Sequence, residues 1–294
     1  MARLLVTADW HIRGDAPVCR VNPDEWLSDQ AKSIEQLIPI VDKEHCDEMW
    51  VMGDIFHRSR TSTEATVQAL ALLSKFKIPI RVLPGNHDLN AHAYGNLDKS
   101  TIGAIYALEH VHELKSHGTS PIVSAYAFGT EPETIPHCDI WCLHSLVFPD
   151  NDAHPLPNIG IIAEELLPFT DAKVILTGDY HHGYVREFGD RKVITPGCIN
   201  IQASDMDGYQ PKCYILDTTD FSVKEIALET FGKVHKDPKR ESRQELETYL
   251  EGLQDFEVPH LDYIANVREA LIKEQQGVQD AVNDVLDAYN PDKQ

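Results

Sequence analysis

The stretch Leu4-Leu5-Val6-Thr7-Ala8-Asp9-Trp10-His11 decides how the rest of the chain is read. Small and β-branched residues make a short buried strand, and the strand stops on an acid and an imidazole. The same figure recurs down the chain. An apolar run over residues 49–52 ends in Gly53-Asp54, and one over 80–83 is stopped by Pro84-Gly85 and followed by Asn86-His87-Asp88. The run over 140–143 meets His144, and that over 174–177 meets Gly178-Asp179-Tyr180-His181-His182. Carboxylates, imidazoles and one amide are thus delivered to loops at one sheet edge, where a rigid scaffold can hold them together.

Between these strands run helical periods. Ile34, Leu37, Ile38 and Val41 share one face, with Pro39 expected to kink or shorten the helix. Thr61 and Glu64 give a capping-box signal for a helix with Val67, Leu70, Ala71 and Ser74 on one face and Phe76 near its end. Further strands are expected over residues 122–128, 192–195, 213–216 and 223–227, and because helices thin out there, the later sheet should be largely antiparallel. The class is α/β: two packed mixed β-sheets flanked by helices over residues 1–232, the main domain.

At Lys233 the composition shifts to a charged, helix-prone segment, so residues 233–294 read as a small helical appendage. Leu246, Tyr249, Leu250 and Leu253 form one stripe, and Ile264, Val267, Leu271, Val278, Val282, Val285 and Tyr289 a second. Either stripe packs on the main domain or docks a partner.

Composition narrows the classes. With 42% hydrophobic and 25% charged residues in 294, the chain is neither disordered nor collagen-like, and no apolar run reaches membrane-spanning length. The N-terminus lacks a signal-peptide pattern, and six cysteines without a C-x-x-C pair suit a reduced, cytoplasmic compartment. Against 47 acids stand only 26 basic residues, a net charge of −21 that repels polyanions at long range. Any chemistry on nucleic acid needs local positive charge, and Arg13, Arg58, Arg60 and Lys99 follow the strand-end motifs closely. A second basic group, Lys233, Lys236, Lys239, Arg240 and Arg243, lies between the two regions.

Hard oxygen donors mixed with imidazoles suit divalent ions such as manganese, iron or zinc, whereas a structural zinc site favours cysteine. A carboxylate placed between two such ions bridges them. Two ions roughly 3.5 to 4 Å apart clamp a phosphoryl oxygen and acidify a shared water, and a histidine that is not a ligand can serve the leaving oxygen.

The order D-x-H, G-D, G-N-H-D, a separate His and G-D-x-H, from Asp9 to His182, resembles the calcineurin-like metallophosphoesterases. Within them, Gly53-Asp54-Ile55-Phe56-His57-Arg58-Ser59-Arg60-Thr61-Ser62 and Thr195-Pro196-Gly197-Cys198 resemble the SbcD-like DNA repair nucleases. The resemblance implies two divalent ions, manganese first, with magnesium, iron or zinc as alternatives. By position, Asp9, His11, Asp54 and His181 would hold one ion, and Asp54, Asn86, His144 and Asp179 the other, with Asp54 bridging. His87 would be the catalytic histidine that binds no metal, Asp88 would orient it, and His57 would line the substrate face or be a solvated loop residue. One departure stands out: the family has histidine where this chain has Asp179. Either Asp179 ligates directly, or His182 takes its place, or the second site is defective.

The resemblance further implies DNA as substrate and a coiled-coil SbcC-like ATPase as partner, and it admits a homodimer; no membrane is involved. A small-molecule phosphodiesterase or phosphatase, which the acidic surface favours, and a catalytically weak binding subunit are the competing expectations.

Overall fold

The computed structural model describes residues 2–132, 135–153, 160–203 and 206–234. These lie within one unit, Met1–Lys236; a second unit, Asp237–Gln294, holding both stripes of the expected helical appendage, lies outside the described residues.

In chain order the elements are β1 (Arg3–Thr7), α1 (Trp26–Glu35), α2 (Leu37–Glu44), β2 (Glu48–Val51), α3 (Thr63–Leu73), β3 (Ile80–Val82), α4 (Ile102–Ile105) and β4 (Val111–Glu113). They continue with β5 (Val123–Tyr126), β6 (Ile140–His144), β7 (Val147–Phe148), β8 (Ile161–Ile162), β9 (Val174–Gly178), β10 (Tyr184–Phe188), β11 (Arg191–Thr195), β12 (Lys212–Asp217) and β13 (Ser222–Ala227). A six-stranded sheet runs β13-β12-β1-β2-β3-β4 and a five-stranded sheet β10-β11-β9-β6-β5; β7 and β8 pair apart from both. The first sheet is mixed, because β12 pairs antiparallel with both β1 and β13 while β1 to β4 run parallel.

Alternation along the strands sorts residues between two cores. Leu5, Met49, Val51, Ile80 and Val82 face the helices and meet Ile34, Leu37, Ala69, Leu72 and Leu73. Leu4, Val6, Trp50, Met52 and Tyr214 face the other way, against Ile140, Cys142, Val174, Leu176 and Ile194 of the second sheet. The central strands are covered on both faces, which is why they read as continuous apolar runs rather than alternating ones.

Three expectations are corrected. The second sheet is mainly parallel: β5 with β6, β6 with β9 and β9 with β11 run parallel, and β10 with β11 alone runs antiparallel. Its crossover between β6 and β9 contains a short 3-10 segment, Ala163–Phe169, where helix counting looks for an α-helix. On α3 the buried face is Ala65, Ala69, Leu72 and Leu73, whereas Val67 is 59% exposed. The cap of that helix is Ser62, one residue after Thr61, its Oγ accepting from Ala65 N–H at 3.3 Å. The helical stretch around Pro39 is two helices broken at Gln36, as the proline ring demands of the turn before it. The last described residues stay with the main unit, Lys233 carbonyl accepting from Val21 N–H at 2.9 Å.

Candidate metal centre

The ends of β1 and β2 are zipped side by side past their last paired residues. Asp9 N–H donates to Gly53 carbonyl at 3.0 Å and His11 N–H to Asp54 carbonyl at 2.9 Å. Holding the loops this close forces unusual backbone: Asp9, His11, Asp54 and Asp179 have φ of 51°, 45°, 52° and 79°. Left-handed φ at residues other than glycine is rare and stores of order 1–3 kcal/mol each, so its concentration on four strand-end residues marks this edge as functional. Gly53 and Gly85 are fixed by the same crowding. A Cβ on Gly53, whose φ is +98°, would sit 2.0 Å from His144 Nδ1, and one on Gly85 would sit 2.2 Å from Asp54 Oδ1.

The Asp54 carboxylate stands at the centre, fully buried, with its two oxygens turned to different neighbours. Oδ2 lies 3.8 Å from His11 Nε2, which is itself 3.0 Å from His181 Nε2. Oδ1 lies 3.4 Å from His144 Nε2, which is 3.0 Å from Asn86 Oδ1. Oδ1 also accepts the backbone N–H of His87 at 3.0 Å. Among the described residues, ligand-type atoms within 4.8 Å of one another form three groups: Asp9 with His11 and His181, Asp9 with Asp54 and His144, and His11 with His57 and His87.

These donors fit divalent cations. Among the described residues, Asp9 Oδ2, Asp54 Oδ2, His11 Nδ1 and His57 Nδ1 are buried without a hydrogen-bond partner. Buried carboxylate oxygens left so are strongly disfavoured unless a cation meets them. The protonation pattern agrees. Burial drives Asp9 well above the usual carboxylate range, while His144, His87 and His11 outweigh burial at Asp54 and hold it far below. Burial also pulls His11 well below the ordinary imidazole value, leaving it neutral and able to ligate. At His144 burial acts the same way, but Asp54, Asp9 and Asp179 overcome it and raise the group, a measure of how negative the pocket is.

Of the expected site residues, Asp9, His11, Asp54, Asn86, His144 and His181 converge here. Asp179 joins none of the three groups; it contributes its backbone N–H to Asp9 Oδ1 at 3.2 Å and its charge to Asp9 and His144. His182 lies in an aromatic cluster, edge-on to Tyr209 with ring centroids 5.1 Å apart.

His87 stands beside the centre, its ring 5.0 Å from that of His11, with Nδ1 on the carbonyl of His57 at 2.7 Å. That contact replaces the orienting role expected of Asp88. The Asp88 carboxylate instead accepts the backbone N–H groups of Phe56 at 2.9 Å, Gly85 at 3.0 Å and Ile55 at 3.3 Å, stapling the loop after β3 to the loop after β2. His57 is not a solvated loop residue: its ring stacks on His87 at 5.4 Å and its Nε2 meets Arg13 Nη1 at 3.1 Å. Burial and the Arg13 charge pull it down to about 3, so it is neutral at pH 7.

Sequence reading missed the fixed second partners. Met52 carbonyl holds His144 Nδ1 at 2.7 Å, and Cys198 Sγ and Asn200 Nδ2 brace the backbone of Asp9 and Trp10 at 2.8 and 3.2 Å. Backbone acceptors leave no mark in sequence; for Cys198 the only signal was its place in Thr195-Pro196-Gly197-Cys198.

Residues 2–183 match the family described as calcineurin-like phosphoesterase. The chain is 25% identical over 264 residues to a protein of Haemophilus influenzae named 3',5'-cyclic adenosine monophosphate phosphodiesterase CpdA, covering 81% of this chain and 89% of that one. Similar solved structures include a novel archaeal phosphodiesterase, with 16% identity, a TM-score of 0.41, and 77% of this chain and 99% of that one covered. Another is a hypothetical protein of Pyrococcus horikoshii, with 14% identity, a TM-score of 0.43, and coverage of 84% and 94%.

Proposed function

The chain belongs to the calcineurin-like phosphoesterases, and from that premise we propose that it is a phosphodiesterase with two divalent ions, cutting phosphodiester bonds of DNA. The observation that carries the two-ion part is the division of the Asp54 carboxylate, one oxygen toward His11 and His181 and the other toward His144 and Asn86. On this reading Asp9, His11 and His181 hold one ion and Asn86 and His144 the other, with Asp179 supplying charge to both sides. Bound ions supply electrophilic polarisation of the phosphoryl oxygens and a water acidified enough to attack phosphorus.

The chain's own residues do the rest. His87 is held at Nδ1 by His57 carbonyl, which leaves Nε2 as the nitrogen that can give a proton to the departing oxygen. Asp88 keeps the two loops in register, so that Asp54 and Asn86 stay at a fixed spacing. The strained loops after β1 and β2 present the donors already oriented.

DNA as substrate is supported by the stretch Gly53 to Ser62 and by the arginines it brings to the site. Manganese as the metal, a cytoplasmic location and a coiled-coil ATPase partner belong to the same reading; the partner is supported by the amphipathic spacing of residues 264–289. A second reading, hydrolysis of a cyclic nucleotide, is favoured by the Haemophilus influenzae relative. Turnover of single-stranded DNA, duplex ends, bis-p-nitrophenyl phosphate and cyclic AMP, compared in manganese buffer, separates them. Cleavage of DNA supports the nuclease; hydrolysis of cyclic AMP with intact DNA replaces it with the second reading.

A further inference from the structure

Beside the metal centre opens a cavity of about 420 Å³ whose lining includes Arg13, Arg58, Arg60 and Ser62 at the start of α3. Arg13 links this cavity to the centre, with Nη1 on His57 Nε2 at 3.1 Å and Nη2 paired to Asp15, so that guanidinium is already committed. Arg58 and Arg60 are exposed, and among the described residues neither has a carboxylate in salt-bridge range. Two guanidinium groups with no salt-bridge partner among the described residues share one cavity in a chain of net charge −21, Arg58 acting on Asp15 and His57 through its charge alone. Two acids, Asp15 and Glu64, line the rim, so the cavity is a directed cationic spot rather than a basic face. The position is telling. One imidazole, His57, separates Arg13 from both His11 and His87, its ring centroid 5.5 Å from the first and 5.4 Å from the second.

Planar guanidinium forks match phosphate oxygens, and the positive end of an eleven-residue helix adds to the field at Ser62. We propose that the Arg58 and Arg60 cavity is a second phosphate subsite, taking the backbone phosphate one nucleotide removed from the scissile one. It rests on the phosphodiesterase reading above and deepens it: a polynucleotide fills both subsites, whereas a cyclic nucleotide or bis-p-nitrophenyl phosphate has one phosphate and leaves the cavity empty. Arg58 and Arg60 are then specificity-determining residues. Arg13, fixed between Asp15 and His57, is a positioning residue.

The test compares full-length wild type with Arg58→Gln, Arg60→Gln and the double variant, each checked for an unchanged melt and metal content. The readout is the ratio of kcat/KM for a single-stranded oligonucleotide to that for bis-p-nitrophenyl phosphate. Each substitution should lower this ratio roughly tenfold, mainly through KM, the loss expected for one charge-assisted hydrogen bond. Anisotropy of a fluorescent oligonucleotide in EDTA should show a matching loss of affinity, with a shallower salt dependence because fewer phosphates are neutralised. Arg60→Lys, which keeps charge but loses the fork, should recover the salt dependence and only part of the affinity. A ratio and affinity unchanged in the double variant overturn the subsite while leaving the nuclease reading intact. Wild type that hydrolyses bis-p-nitrophenyl phosphate but neither binds nor cuts the oligonucleotide overturns the subsite and the nuclease together, and leaves the phosphodiesterase.

Discussion

His144 turns its Nδ1 to the backbone carbonyl of Met52, 2.7 Å away, at the end of the neighbouring sheet. A carbonyl only accepts, so Nδ1 carries the proton and Nε2 is committed to the face shared with Asp54 and Asn86. The contact spans the two sheets and ties the His144 side of the centre to the strand that delivers the shared Asp54.

That arrangement predicts unequal effects of removing ligands. Asp54→Ala takes a donor from both sides and should leave a folded protein with neither ion and no hydrolysis. His144→Ala should remove one ion only. Elemental analysis of dialysed, manganese-loaded samples reads the stoichiometry directly. Two ions retained by Asp54→Ala would rule out a shared carboxylate.

His87→Gln is expected to behave differently from either. Its backbone N–H still reaches Asp54 Oδ1, so both ions should stay while kcat falls by roughly 10²- to 10⁴-fold. Loss of metal in step with activity would make His87 a ligand instead.

Asp88 is where stability and site geometry meet. Its carboxylate accepts three backbone N–H groups and is fully buried, so Asp88→Ala orphans three donors at once. At about 1–3 kcal/mol for each unsatisfied buried group, partly relieved by entering water, a loss of a few kcal/mol is expected. Thermal melting should show it as a Tm lowered by several degrees, with weaker metal retention, because the staple joins the loops carrying Asp54 and Asn86.

The five strand-end loops were legible because the chemistry sits on consecutive residues: Asp9 to His11, Gly53-Asp54, Asn86 to Asp88, His144, and Asp179 to His181. The mainly parallel second sheet was not, because strand direction depends on connections such as Ala163–Phe169 that carry no α-helical period. Nor was the buried face of α3. Ala65 and Ala69 are too small to register as a hydrophobic stripe beside Val67 and Leu70, yet they are among the fully buried residues that α3 gives to the core it shares with β2 and β3. Asp88 was assigned to its sequence neighbour, although a carboxylate three residues after Gly85 satisfies loop N–H groups more readily than it reaches an adjacent ring.

Away from the centre, His137 and Asp171 form an exposed hydrogen-bonded pair that should be visible in titration. The Asp171 hydrogen bond and charge raise His137, and the same bond lowers Asp171. The raised histidine contributes stability below its unfolded pKa and loses it as pH rises through the folded value. The lowered carboxylate contributes above its unfolded pKa and loses it as pH falls through the folded one. The pair is therefore strongest between the two ordinary values, around pH 5. NMR should find the His137 ring titrating above an ordinary histidine, and Asp171→Asn should return it to the usual value.

Asp179 departs from the family pattern, and its backbone and side chain can be tested separately. Its N–H holds Asp9 Oδ1 at 3.2 Å, and its φ of 79° is one that Asn and His also tolerate. Asp179→Asn and Asp179→His should therefore fold and leave the ion on the His11 side in place. Removing the charge in Asp179→Asn weakens the field that raises His144, so the ion beside His144 and Asn86 should be retained less well. Asp179→His supplies an imidazole, as in the motif pattern this segment resembles, and should restore or exceed wild-type retention of that ion. Calorimetric titration of the metal-free proteins with manganese resolves the two binding events. Identical isotherms for wild type and Asp179→Asn would show that the Asp179 side chain plays no part in the centre, leaving only its N–H as a contributor.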